Sequence, residues 1–148
     1  MAIIGIIAEY NPFHTGHEYH IARSRELLGA DSTVICVMSG DFVQRGEAAL
    51  CSKFARAEAA CRCGADLVIE LPLPWALSSA EGFARGAVGL LGALGATHLS
   101  FGSECGEIEI LETIAETLID PLIGADIRAE LQNDAGIPFA AARQRAVA

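Results

Sequence analysis

AIIGIIAEYNPFHTGHEYH, residues 2–20, holds the decision about the fold: an apolar run that stops abruptly at a carboxylate, then a proline turn and three histidines spaced by three. Ile3 to Ala8 shows no 3.6-residue period and is bounded by polar residues and proline, which predicts a strand buried on both faces. Thr15 is the expected cap of a helix running to about Leu28, with Gly29 at its end.

The pattern then repeats. TVICVM, from Thr33 to Met38, is rich in β-branched residues and stops at Ser39-Gly40-Asp41, as a second buried strand should. The loop GDFVQRGE leads to Ser52, a good cap for KFARAEAACRC, which predicts helix up to Gly64. Asp66 introduces LVIEL, a third strand ended by Pro72 and Pro74. Ser78 or Ser79 opens a further helix through Leu94, THLSF forms a fourth strand, and the chain from Ile108 onward reads mainly as helices. Gly86, Gly89 and Gly92 recur every three residues inside that helix through Leu94, and the expectation is that they pack backbone closely on the sheet.

Strand and helix alternating in this way predict an α/β domain: a doubly wound parallel sheet with right-handed crossovers and helices on both faces. In such sheets the first three strands run outward on one side of strand 1 and the fourth returns to its other side, making a switch point where ligands bind. The loop beginning at Glu9 and the loop beginning at Gly102 are therefore expected to flank one crevice.

Composition narrows the class. A chain of 148 residues is long enough for one domain with a real core. Ten Lys and Arg against 19 Asp and Glu leave a formal charge of −9, which opposes non-specific attraction to a nucleic-acid backbone. No apolar run reaches the roughly 18 residues needed to span a bilayer. The start MAIIGIIAEYNP lacks a basic leader, so a cytoplasmic protein is expected, and five cysteines without a CxxC pair suggest reduced thiols. Cys61 and Cys63, two apart on a helix, cannot easily share a metal and are expected to be small buried side chains.

Three readings of the histidine stretch compete. His17 and His20, at i and i+3, could both reach a divalent ion, but the spacing is one residue short of the HExxH of zinc proteases, and no metal ligand set is assigned. Asn11-Pro12 followed by Thr15 is also ordinary helix-start chemistry, with the histidines on a solvated first turn. The phosphate reading uses more of the pattern: Gly16 lets an anion approach N–H groups at a helix N-terminus, and His14 and His17 add side-chain donors. The commoner phosphate cradles, GxxxxGK[ST] and GxGxxG, are absent.

His14-Thr15-Gly16-His17 resembles the HxGH signature of the nucleotidyltransferase superfamily. Together with GIIAEYNPFHTGHEYH, VMSGDFVQRGE, SKFAR, GADLVIELP and FGSE it resembles, from Ile4 to about Gln132, the N-terminal part of the bacterial tRNA(Met) cytidine acetate ligase family. That resemblance implies a Rossmann-like nucleotidyltransferase fold and a two-step reaction: acetate and ATP form acetyl-adenylate, which then acetylates the wobble cytidine of elongator tRNA(Met) to N4-acetylcytidine. Carried over by position, the nucleotide-binding residues are Ile7, Ala8, Glu9, Tyr10, Asn11, Pro12, Phe13, His14, Thr15, Gly16, His17, Glu18, Tyr19, His20 and Gly102, with His14 and His17 catalytic. ATP is implied as substrate, with Mg2+ shielding its phosphates.

Residues 1–148 are then expected to be a nucleotidyltransferase-like ATP-binding domain that is truncated relative to the family, whose further nucleotide contacts and tRNA-binding surface lie beyond it. A small-molecule adenylyltransferase and a nucleotide-binding remnant without turnover are the competing readings. Asp41, Gln44, Arg45 and Lys53 receive no role from the pattern, and Glu70 and Glu104 are weighed as strand-end carboxylates against plain loop chemistry.

Overall fold

In the computed structural model, residues 1–147 are described. The chain divides into two compact units, Met1–Gly102 and Ser103–Ala148.

The first unit carries the sheet. Strands β1 (Ile3–Ala8), β2 (Thr33–Ser39), β3 (Leu67–Leu71) and β4 (His98–Ser100) lie in the order β3-β2-β1-β4, all parallel. Ile6 stands opposite Cys36 on one side and Ser100 on the other, so β1 has a parallel neighbour on each side and the order in which strands are added reverses across it. This is the doubly wound α/β order that the sequence predicts, with the switch point between β1 and β4.

The helices settle on opposite faces because the strands are apolar on both. Ile4, Ile6, Val34, Cys36 and Met38 face α1 (Thr15–Leu28) and α2 (Lys53–Arg62), meeting Ile21 and Ala60 in one buried cluster. The alternate residues Ile35, Val37 and Leu71 pack on the other face against Ala76 of the one-turn α3 (Leu73–Ala76) and against Phe83, Ala87 and Leu91 of α4 (Ala80–Ala93). A continuous apolar run in sequence is thus two alternating half-cores in space.

Gly5 in the middle of β1 has a specific reason. A Cβ there would lie 2.6 Å from Cδ1 of Leu91, so glycine sets the closeness of α4 to the sheet. The glycines within α4 behave differently from expectation. A Cβ on Gly86 would meet the Trp75 ring at 2.5 Å, whereas Gly89 and Gly92 face open space. The buried stripe of α4 is Phe83, Ala87 and Leu91, so the three-residue glycine repeat falls off the sheet-facing side and only Gly86 is packed, on Trp75.

Ser52 and Ser79 cap α2 and α4 through Oγ acceptors for Ala55 N–H and Gly82 N–H, each at 3.3 Å. Cys61 is exposed and Cys63 half-buried, contrary to the expectation of buried thiols, because the inward stripe of α2 is Arg56 and Ala60. All five cysteines are free. The second unit consists of α5 (Ile108–Ile119), α6 (Ile123–Asn133) and α7 (Phe139–Val147), with Ile127 and Ala142 buried. Among the described residues no helix is long and apolar enough to cross a membrane.

Candidate functional site

Where β1 ends, the chain must turn sharply to enter α1, and Glu9, Tyr10 and Asn11 of the turn are each tied down. Tyr10 sits at φ 49°, a left-handed conformation that costs a bulky residue energy. Burial holds it there: the ring is 2% exposed, and its hydroxyl donates to Cys36 Sγ at 3.2 Å. Burial raises the Tyr10 phenol well above its usual range, and raises the Cys36 thiol to about 11. Neither group ionises near neutrality, so this pair supports the turn rather than supplying a charge.

The loop after β2 is strapped to the same turn. Gln44 N–H donates to the Glu9 carboxylate at 2.6 Å, and Leu50 N–H to Asn11 Oδ1 at 2.7 Å. Arg56, only 1% exposed, donates to the backbone carbonyls of Cys51 at 3.1 Å, Glu9 at 2.6 Å and Gly40. One guanidinium therefore joins the C-terminal ends of β1 and β2 and places a fixed positive charge behind the turn.

Helix α1 does not start as the sequence suggests. His14, not Thr15, is the cap: its Nδ1 accepts from Gly16 N–H at 3.1 Å, while His17 Nδ1 accepts from His14 N–H at 3.2 Å. The pair forms a capping box made of imidazoles, with the rings stacked at 3.7 Å between centroids. His17 also packs edge-on to Tyr10 at 4.8 Å, beside Phe13. Thr15 is the first helical residue and is exposed.

The box has a chemical consequence. Gly16 N–H is already satisfied by His14, so the backbone donor that the glycine seemed to offer an anion is engaged. Each Nδ1 that accepts a hydrogen bond is unprotonated, so both rings carry their proton on Nε2 and present it as a donor. Burial, then the neighbouring His14 and His20, lowers the His17 pKa.

Both rings line a crevice of about 530 Å³. It is lined by Ile7 to Pro12, His14, His17 and His20 from one side and by Phe101 and Gly102 from the other. The loops after β1 and β4 meet there, as the topology requires. Of the residues singled out in the sequence, Ile7, Ala8, Glu9, Tyr10, Asn11, Pro12, His14, His17, His20 and Gly102 come together in this lining. Phe13, Thr15, Gly16, Glu18 and Tyr19 do not: Phe13 packs on Tyr10, Gly16 serves the cap, and Thr15, Glu18 and Tyr19 are exposed.

His20 reaches across to β4, where Nε2 meets Ser100 Oγ at 2.8 Å, and burial lowers its pKa. Lys53 bonds Glu70 at 2.7 Å and lies 3.7 Å from Asp41, outside the crevice lining. Arg45 is exposed in a 3₁₀ turn, Gln44–Gly46. Among the described residues no group of three or more His, Cys, Asp or Glu side chains is placed to hold a metal ion.

Sequence reasoning passed over Arg56 and Ser100. For Arg56 a signal existed, since it lies four residues before Ala60 on the apolar stripe of α2. For Ser100 none did, because its partner is 80 residues away.

Comparison with known proteins adds to this geometry. The model of a family described as HIGH Nucleotidyl Transferase matches residues 1–148. A tRNA(Met) cytidine acetate ligase of Acetivibrio thermocellus is 47% identical over 99% of this chain and 35% of its own length. The Clostridium perfringens protein of the same name is 49% identical over 99% of this chain and 37% of its own. The chain thus spans about a third of the length of the curated relatives it matches. The crystal structure of Thermotoga maritima TmcAL bound with alpha-thio ATP superposes at a TM-score of 0.87 with 45% identity, covering 99% of this chain and 36% of that one.

Proposed function

The chain belongs to the HIGH nucleotidyl transferase family, and on that premise we propose that residues 1–148 form the ATP-binding module of an acetate ligase that modifies tRNA(Met). The observation that carries this reading is the His14–His17 pair in the lining of the crevice between β1 and β4, whose Nδ1 atoms are held by backbone N–H groups so that the Nε2–H groups are left as donors. Relatives named tRNA(Met) cytidine acetate ligase, and a similar structure bound with alpha-thio ATP, supply the substrate class.

ATP enters with its phosphates against the two donors and its nucleoside toward the ends of β1 and β4. A carboxylate oxygen of acetate attacks the α-phosphorus, the bond from that phosphorus to the bridging oxygen breaks, and pyrophosphate leaves. Charge builds on the leaving pyrophosphate, where preorganised N–H donors stabilise the transition state more than the ground state. The positive charge of Arg56 behind the turn acts in the same sense. In the second step the N4 amine of cytidine attacks the acetyl carbonyl, loses a proton and displaces AMP.

Mg2+ bound with the nucleotide would supply charge shielding of the phosphates. The chemistry of the lining fits an ion brought in by the nucleotide, since Glu9, its only carboxylate, is engaged by Gln44 N–H. A cytoplasmic location follows from tRNA as substrate.

Isotope exchange between pyrophosphate and ATP, with and without acetate, tests the assignment. Acetate-dependent exchange is expected. Exchange driven by another acid and indifferent to acetate would make the protein a small-molecule adenylyltransferase, and nucleotide binding without exchange would leave a binding module alone.

A further inference from the structure

Three histidine rings line the crevice, and the direction of their hydrogen bonds divides them into two kinds. His14 and His17 have Nδ1 occupied as acceptors and offer Nε2–H donors. His20 is arranged in the opposite way.

The direction follows from counting protons. The Ser24 hydroxyl donates to the backbone carbonyl of His20 at 2.8 Å, and a hydroxyl has a single proton to give. The 2.7 Å contact between the Ser24 and Ser100 hydroxyls is therefore a donation from Ser100. With its own proton committed, Ser100 accepts from His20 Nε2 at 2.8 Å. The His20 proton lies on Nε2, and Nδ1 is a lone pair that makes no hydrogen bond among the described residues. Burial disfavours a second proton on this ring, which keeps the lone pair free near neutral pH.

A crevice meant for phosphate alone would gain nothing from such an acceptor, because a lone pair repels a phosphate oxygen. The triphosphate belongs at His14 and His17, and a donor-bearing part of the ligand belongs at His20. His17 and His20 are one helical turn apart, roughly 5–6 Å between β-carbons. That span matches the step from the α-phosphate of a nucleotide to its ribose hydroxyls, whereas the amino group of adenine lies well beyond it.

We propose that His20 Nδ1 accepts a hydrogen bond from a ribose hydroxyl of the bound nucleotide, so that the Ser24–Ser100–His20 chain selects ribonucleotides over deoxy forms. The proposal rests on the reading of the crevice as an ATP site. His20 contacts the ligand, and Ser100 is a positioning residue that holds the proton on Nε2.

The test is equilibrium binding of ATP, 2′-deoxy-ATP and 3′-deoxy-ATP to the wild-type chain and to His20→Phe and Ser100→Ala. Wild type is expected to bind at least one deoxy analogue about 3- to 10-fold more weakly than ATP, the worth of one neutral hydrogen bond. His20→Phe should bind ATP weaker by the same factor and no longer discriminate. Ser100→Ala frees Nε2 and lets the proton move to Nδ1, so most of the discrimination should vanish while ATP still binds. Wild type binding all three nucleotides equally would overturn the proposal, as would discrimination retained in His20→Phe. If His20→Phe fails to fold, the wild-type comparison and Ser100→Ala decide alone. Failure of wild type to bind any of the three would instead remove the ATP site itself, and this inference with it.

Discussion

The guanidinium of Arg56 donates to the backbone carbonyl of Glu9 at 2.6 Å, joining the buried face of α2 to the turn that carries the histidines. All of its hydrogen-bond partners are backbone carbonyls that nothing else in the neighbourhood replaces. Arg56→Ala is expected to lower unfolding stability by roughly 3–5 kcal/mol, since three inward carbonyls lose a charged donor and a cavity opens. Arg56→Lys retains the charge but cannot span three acceptors, and should lose about half as much. Urea unfolding of the three proteins checks the order.

Removing the His17 ring separates stability from binding. His17→Ala loses the acceptor for His14 N–H, worth about 1 kcal/mol, and leaves the fold intact. It also removes one donor to the phosphates, which should weaken ATP binding about 10- to 100-fold. Calorimetric titration alongside thermal melting measures the two effects on one sample.

Gly16→Ala should dissociate the same two properties more sharply. Its Cβ would lie 3.0 Å from His14 Cε1 and 3.1 Å from Nδ1, so the cap ring must give by a few tenths of an ångström, which tilts its Nε2 donor. Helix propensity improves by about 1 kcal/mol over glycine, offsetting the weakened cap. The expected outcome is a melting temperature close to that of wild type with ATP affinity reduced about 10-fold.

Acid should weaken the fold through this site. Burial lowers the pKa values of His17 and His20 below the ordinary 6.5. Below pH 6.5 the unfolded chain therefore takes up protons that the folded chain refuses, and stability falls as pH drops toward the lowered values. Above pH 6.5 both states are neutral at these rings and the contribution is constant. Denaturant midpoints between pH 5 and 8 should show this slope, and His17→Ala combined with His20→Phe should flatten it.

The sheet order and the meeting of the two loops were legible because they follow from strand sequence and crossover handedness, which local patterns carry. Ser52 and Ser79 were legible as caps for the same reason. The start of α1 was misread because imidazole is an uncommon cap, and Thr15 beside it is a common one. The glycine repeat of α4 misled because periodicity reports a face without saying what lies opposite: Gly86 meets Trp75, and its two successors meet nothing. In the site, the histidines were visible from spacing, but the role of each ring nitrogen was not. It depends on hydrogen bonds to Gly16, His14 and Ser100, and the last comes from a distant strand.

Calorimetric titration of ATP into the wild-type chain and into the double variant His14→Ala, His17→Ala is the most direct test that the paired imidazole donors make this crevice a nucleotide site. Wild type is expected to bind ATP at one site, and the folded double variant to lose measurable binding. A wild-type chain with no affinity for ATP, or a double variant that binds it equally well, would contradict the account.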